Sequence, residues 1–233
     1  MISGSSDNTL KLWDIETGNE IRSFEGHKNW VIACDFSPDG KYIISGSDDN
    51  TLKLWDIETG NEIRSFTGHY DSVRACDFSP DGKYIISGSD DKTLKLWDRN
   101  MGNEICSFEG HKNSVRACNF SPDGKYIISG SSDNTLKLWN KDSGKVIRSF
   151  IGHKSSVNTC DFSPDGKYII SGSDDMTLRI WNAGTGKCLE TINLLWRPNY
   201  VEFSPKNPNI LATANANCTV SLFDLSEFFY KKT

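Results

Sequence analysis

An all-β fold made of tandem four-stranded antiparallel sheets is predicted by three observations on the 233-residue sequence. Tryptophan recurs at a fixed interval, as Trp13, Trp55, Trp97, Trp139 and Trp181, each forty-two residues after the last. Segments 27–68, 69–110, 111–152 and 153–194 are near-copies, and FSPDGKYIISGS is identical in all four. No stretch carries a helical period, whereas short runs such as TLKLW alternate between apolar and polar residues. A unit of this length, copied in tandem, cannot bury its apolar face alone and must stack on its neighbours. Repetition without a linker predicts one domain over 1–233, in units of approximately 1–26, 27–68, 69–110, 111–152, 153–194 and 195–233.

Residues 27–68 show the elements of one unit in order. Trp30–Phe36 is a short strand rich in branched and aromatic residues. Ser37-Pro38-Asp39-Gly40 is a turn, in which proline presets φ and glycine takes the left-handed position. Lys41–Gly46 is the second strand, followed by a tight turn at Ser47-Asp48-Asp49-Asn50. Thr51–Trp55 is the third, with Leu52 and Leu54 on one face. Asp56–Gly60 turns again, and Asn61–Phe66 is the fourth. Such sheets repeated around an axis are the blades of a β-propeller, an arrangement that shortens exposed sheet edges.

The repeat count predicts about six blades, the first and last incomplete. The chain opens at Ile2-Ser3-Gly4, inside a second strand, so the first blade has Ser3, Asp7 and Trp13 but no histidine and no inner strand. At the far end, Tyr200–Ser204, Ile210–Ala214 and Thr219–Phe223 echo three strands. There Thr213, Asn217 and Phe223 replace serine, aspartate and tryptophan, and Leu194 stands where histidine is expected. That blade is expected to pack by its apolar face alone, with Leu225–Lys232 as a short outer strand. Three arrangements stay open: an imperfect six-bladed ring, a piece of a longer chain, or an open propeller completed by a second copy. The chain is accordingly a monomer, or a homodimer if the ring is incomplete.

Composition narrows the function classes. There is no run of eighteen apolar residues, which excludes a transmembrane helix. The opening residues lack a basic stretch followed by an apolar one, which argues against a signal peptide and for an intracellular, cytoplasmic or nuclear, protein. The net charge is −5, and the lysines recur with the repeat (Lys11, Lys53, Lys95 and Lys137; Lys41, Lys83, Lys125 and Lys167). They read as solvated strand faces rather than a nucleic-acid patch. Of the seven cysteines, Cys34, Cys76, Cys118 and Cys160 share one repeat position without metal-ligand spacing, so they read as small apolar fillers and no cofactor or metal is expected.

Each full repeat carries a histidine, a serine, an aspartate and a tryptophan at fixed offsets. The sets are His27/Ser45/Asp49/Trp55, His69/Ser87/Asp91/Trp97, His111/Ser129/Asp133/Trp139 and His153/Ser171/Asp175/Trp181. Serine, histidine and aspartate are also the parts of a hydrolase triad. Four copies, no glycine-framed nucleophile and an indole N–H that needs an acceptor once buried point instead to a structural network and away from an enzyme.

Gly26-His27…Trp55-Asp56 and Gly68-His69…Trp97-Asp98 resemble the signature of the WD-repeat (WD40) β-propeller family, as do Gly110-His111…Trp139-Asn140 and Gly152-His153…Trp181-Asn182. The resemblance covers almost the whole chain. It implies that tryptophan donates to serine, serine to histidine and histidine to aspartate, tying each blade together. It also implies a non-enzymatic scaffold that binds peptides or protein partners on the top face, at the mouth of a central channel. Direct nucleic-acid or membrane contact is not expected. Trp97-Asp98-Arg99-Asn100 has its arginine one place too early for the W-D-x-R ending with which some members join a ubiquitin-ligase adaptor.

The copies differ most just after the histidine and just before the turn aspartate. The resemblance places these positions on the binding face, giving Trp30, Ile32, Ser72, Arg74, Ser114, Arg116, Ser156 and Asn158. Asp48, Asp90, Ser132 and Asp174 mark the second variable point, with the aspartates farther out. An aromatic anchor beside arginines suits the centre of an interface. Arg74 and Arg116 could fork onto a carboxylate or phosphate, or the aspartates could read a basic, histone-like tail. A regulatory propeller within a larger multidomain protein is a further alternative.

Overall fold

The computed structural model describes residues 1–204, 207 and 209–226. Among them the chain forms twenty-two strands in six antiparallel sheets of three or four strands each. Two compact units contain them, Met1–Val115 and Arg116–Thr233. No helix among the described residues is long and apolar enough to cross a membrane.

The first unit holds three sheets, each running in chain order. They are β1 (Ile2–Gly4), β2 (Thr9–Trp13) and β3 (Glu20–Glu25); β4 (Val31–Phe36), β5 (Tyr42–Ser47), β6 (Thr51–Asp56) and β7 (Glu62–Thr67); and β8 (Val73–Phe78), β9 (Tyr84–Ser89), β10 (Leu94–Asp98) and β11 (Glu104–Phe108). The Ser-Pro-Asp-Gly turn closes as its chemistry requires. Gly40 sits at φ 68°, its N–H bonds to the Ser37 carbonyl at 2.8 Å, and Ser37 Oγ donates to Asp39 at 2.6 Å.

Apolar residues of one sheet meet those of the next. Leu10, Leu12 and Phe24 pack with Val31, Ile43 and Trp55, while Leu52, Leu54 and Phe66 pack with Val73, Ile85 and Trp97. The middle sheet is therefore covered on both faces. This corrects the reading of Lys53 and Lys95 as solvated. Lys53 and Lys95 have side chains only 12% and 9% exposed, and each bonds a glutamate, Glu62 or Glu104, at 2.6 Å. Lys83, in the other set, is solvated, with 71% of its side chain exposed.

An arginine in the fourth strand adds a polar clasp between neighbouring sheets. Arg22 donates to the carbonyls of Glu58 and Thr59, and Arg64 to those of Asn100 and Met101, at 2.7–3.2 Å. Cys106 takes the corresponding place in β11, opposite Leu96.

The second unit repeats the pattern from β12 (Val115–Phe120), which begins on the last residue of the first unit. Its elements continue as β13 (Tyr126–Ser131), β14 (Thr135–Asn140) and β15 (Val146–Ile151), then β16 (Val157–Phe162), β17 (Tyr168–Ser173), β18 (Thr177–Asn182) and β19 (Cys188–Asn193). The last sheet comprises β20 (Pro198–Phe203), β21 (Ile210–Asn215) and β22 (Val220–Asp224). Arg148 provides the clasp here, donating to the carbonyls of Gly184 and Thr185 at 2.6 and 2.8 Å.

The last sheet does not pack by its apolar face alone. Thr213 Oγ1 donates to Asn215 Oδ1 at 3.2 Å, and Asn215 Nδ2 donates to Ser221 at 3.0 Å and Thr219 at 3.2 Å. An amide two residues beyond Thr213 stands in for the missing imidazole, so the buried threonine hydroxyl keeps a partner. The outer strand expected at Leu225–Lys232 lies largely outside the described residues.

Candidate functional site

The four-residue sets at His27, His69 and His153 share one arrangement, described first at His27. Trp55 Nε1 donates to Ser45 Oγ at 2.9 Å, His27 Nε2 lies 2.7 Å from the same oxygen, and His27 Nδ1 lies 2.8 Å from Asp49 Oδ2. Burial pushes the Asp49 carboxyl up, but hydrogen bonds from Thr51, the Lys28 N–H and His27 outweigh it and hold the pKa at about 2. Burial lowers the pKa of His27, which keeps the imidazole neutral. A carboxylate only accepts, so the proton sits on Nδ1 and the serine hydroxyl donates to Nε2. The polarity therefore runs from indole to hydroxyl to imidazole to carboxylate.

His153, Ser171, Asp175 and Trp181 repeat this at 2.7–2.9 Å, as do His69, Ser87, Asp91 and Trp97 at 2.7–2.8 Å. In the remaining set Trp139 Nε1 donates to Ser129 Oγ at 2.8 Å, Thr135 binds Asp133, and His111 is buried like the other histidines. The incomplete first sheet keeps the pair Trp13–Ser3 at 2.9 Å. Ser45, Ser87, Ser129 and Ser171 are wholly buried. Each hydroxyl is taken up within its own sheet and faces no substrate-accessible space.

The variable positions are organised differently. In the first unit Trp30 is 55% exposed and Ile32 38%, and the Trp30 carbonyl accepts the Asp48 N–H at 2.9 Å. The Ser72 carbonyl likewise accepts the Asp90 N–H at 3.0 Å. Backbone bonds thus join the two variable points within a sheet. Arg74 is not an open fork, and Asp48 and Asp90 are not farther out. Its Nη2 lies 2.6 Å from Asp90 Oδ2, its Nε 2.7 Å from the same oxygen, and its Nη1 3.3 Å from Asp48 Oδ1. Two aspartates from adjacent sheets converge on one guanidinium because both stand at the same place in the repeat. Ser114, at the end of this unit, is partly exposed, and its N–H is held by Asn113 Oδ1.

In the second unit Arg116 Nε donates to Ser132 Oγ at 2.9 Å, and Asn158 Nδ2 donates to Asp174 Oδ1 at 2.6 Å. The Ser156 carbonyl accepts the Asp174 N–H at 2.9 Å, and Arg197 Nη1 lies 3.6 Å from Asp174. Arg197 was not among the candidate residues, because it lies after the last full copy.

A second polar feature had no sequence signal beyond its recurrence. Asp161 lies two residues before the Ser-Pro-Asp-Gly turn, and its carboxylate accepts the N–H of Phe203 at 3.0 Å and of Phe162 at 2.8 Å. Asp35 does the same for Phe78 at 3.2 Å. Burial, reinforced by the charge of Glu202, raises the pKa of Asp161 to about 7 against those amides. The folded chain therefore holds a proton that the unfolded chain releases above its ordinary value of 3.8. Stability from this group is complete below that value and is lost as pH rises toward 7. The third copy has Asn119 here; with its amide assigned so that the nitrogen faces the two acceptors, it donates to the carbonyls of Cys118 and Cys160. Asp161→Asn is expected to stabilise the chain by about 2 kcal/mol at pH 8 and by far less at pH 4. Urea unfolding at the two pH values checks it, and an equal effect at both would remove the assignment.

The fold and these sets define a tandem-repeat protein whose full repeats are pinned by internal polar chains. The chain belongs to the WD-repeat β-propeller family. The family model described as "IFT122 first beta-propeller" matches residues 50–232, more than three quarters of the chain, and "WD domain, G-beta repeat" matches residues 1–14 and 18–56. The chain is 54% identical over 41 residues to nuclear distribution protein PAC1 of Coprinopsis cinerea, a match covering 18% of the chain and 9% of that protein. It is 42% identical over 43 residues to ribosome assembly protein 4 of Saccharomyces cerevisiae (18% and 8%), and 43% identical over 44 residues to the Lissencephaly-1 homolog of Heterostelium pallidum (19% and 11%). The similarity thus spans about one repeat and roughly a tenth of each relative's length.

Proposed function

We propose that the chain is a non-enzymatic scaffold that binds a peptide or protein partner through the ends of the sheets bearing the variable positions. One observation carries the reading. An exposed indole, Trp30, is held by its own backbone beside the Asp48–Arg74–Asp90 ion network. An aromatic with a fixed main chain loses little entropy on binding, and the charges around it supply a polar rim. Ile32 extends the apolar area. In the second unit Arg116, Ser132, Ser156, Asn158 and Asp174 form a polar counterpart.

Trp30→Ala is expected to weaken binding of a captured partner by about thirtyfold, roughly 2 kcal/mol, while shifting stability by no more than about 0.5 kcal/mol. Partners are captured by affinity purification of the intact chain, identified by mass spectrometry and titrated in pure form. Undiminished affinity of the variant for every such partner would remove this face from the function.

A reading as a receptor for basic peptides has one observation in its favour. Two carboxylates against one guanidinium leave one negative charge in excess at Arg74. Such a site should lose affinity between low and high salt, whereas an apolar anchor should not.

A further inference from the structure

A cavity of about 610 Å³ opens in the second unit between the β12–β15 and β16–β19 sheets, around Tyr126, Asp123, Asp165 and Ala183. It lies at the end of β16 opposite Asn158, so it is separate from the surface proposed above. We infer that this cavity receives an arginine side chain presented by a partner protein.

The repeat itself supplies the occupant's chemistry. Ala183 occupies the position that Arg99 holds two copies earlier, and Tyr126 corresponds in the same way to Tyr42. In the first unit the Arg99 guanidinium lies 5.1 Å from the centre of the Tyr42 ring. A methyl group placed on Gly82 would come within 3.6 Å of Arg99 Nη1, whereas one placed on Gly166 meets only Pro122, at 3.8 Å. The chain fills one such site with its own guanidinium and leaves the other open by placing alanine there. Tyr126 is correspondingly 37% exposed.

Charge suits the same occupant. Asp123 and Asp165 edge the cavity with side chains 48% and 45% exposed; the Oδ1 of each accepts the hydroxyl of Ser121 or Ser163, and the Oδ2 of each lies 3.7 or 3.2 Å from an exposed lysine two residues on. The corresponding Asp39 carboxyl is held below its ordinary value by hydrogen bonds from Ser37 and Lys41, with a further contribution from Arg99. Arg148 lines the cavity and is no obstacle, since its two hydrogen bonds to turn carbonyls match those of Arg64, which coexists with Arg99. A planar guanidinium can stack on the ring and bond the carboxylates by its edge, whereas an ammonium is a strongly hydrated point charge.

The test titrates the isotope-labelled chain by NMR with the capped tripeptide acetyl-Gly-Arg-Gly-amide, its lysine counterpart and free arginine. Saturable shifts at the amides of Tyr126, Gly166 and Gly184 are expected with the arginine peptide, and affinity at least about fivefold lower with lysine. Ala183→Arg should abolish the shifts by filling the cavity from within, and Tyr126→Leu, which keeps the volume apolar, should weaken binding about fivefold. Absent shifts, equal response to lysine, or undiminished binding by both variants would overturn the proposal. Tighter binding of free arginine than of the peptide would assign the cavity to a small molecule and overturn the claim of a protein partner.

Discussion

Trp55→Ala is expected to destabilise the first unit by about 4 kcal/mol, the upper range for truncating a buried aromatic. The indole is 1% exposed and lies edge-on to Phe24 of the preceding sheet, at 5.8 Å between ring centres. It also packs against His27 of its own sheet, at 6.0 Å. Its removal opens a cavity between sheets and leaves Ser45 Oγ without the N–H that fills one of its acceptor positions. Trp55→Phe separates the two effects, because it keeps most of the apolar contact and deletes only the donor. It should cost about 1–2 kcal/mol, the usual size of an unsatisfied buried acceptor. Urea unfolding of both variants against the parent measures the pair. A loss below about 1 kcal/mol for alanine would mean the indole is not a keystone of its sheet.

How much of this was legible in sequence depended on whether the information was local or shared between copies. Strand positions followed from alternation and turn chemistry, both local. Val31–Phe36, Tyr42–Ser47 and Glu62–Thr67 each fall within one residue of the boundaries read from the pattern. The family followed from spacing, which survives any ignorance of packing. The hidden parts required two copies at once. Arg74 looked open because its two aspartates are contributed by turns in different sheets, forty-two residues apart. Lys53 looked solvated because strand alternation says nothing of a second neighbour covering the polar face. The cavity at Tyr126 is present in sequence only as a difference, Arg99 against Ala183, which gains meaning from the Arg99 guanidinium lying over the Tyr42 ring. In a repeat protein, substitutions between copies are the richest signal, and they need the neighbouring copy to be interpreted.

Gly46→Ala isolates that dependence on the neighbour and is expected to cost about 2 kcal/mol. Gly46 lies inside β5 without a positive φ, so backbone conformation does not demand glycine there. Space does. A methyl group would sit 2.7 Å from Val73 Cγ1 and 3.2 Å from the Val73 carbonyl oxygen, on the first strand of the next sheet. Gly88 faces Val115 at 2.7 Å and Gly130 faces Val157 at 2.8 Å, so the same close approach recurs along the chain. Val73→Ala removes the clashing carbon and by itself costs about 2 kcal/mol for the cavity it leaves. The double variant should therefore be more stable than the two losses summed, by at least about 1 kcal/mol, because each change makes room for the other. The rescue stays partial, since the backbone oxygen of Val73 remains tight against the new methyl. Gly40→Ala is the contrasting case: nothing lies within 4 Å of its added methyl, and its cost comes from φ 68° alone, so Val73→Ala should not relieve it. Strict additivity of Gly46→Ala and Val73→Ala in a double-mutant cycle would show that the sheets do not lean on each other at this contact.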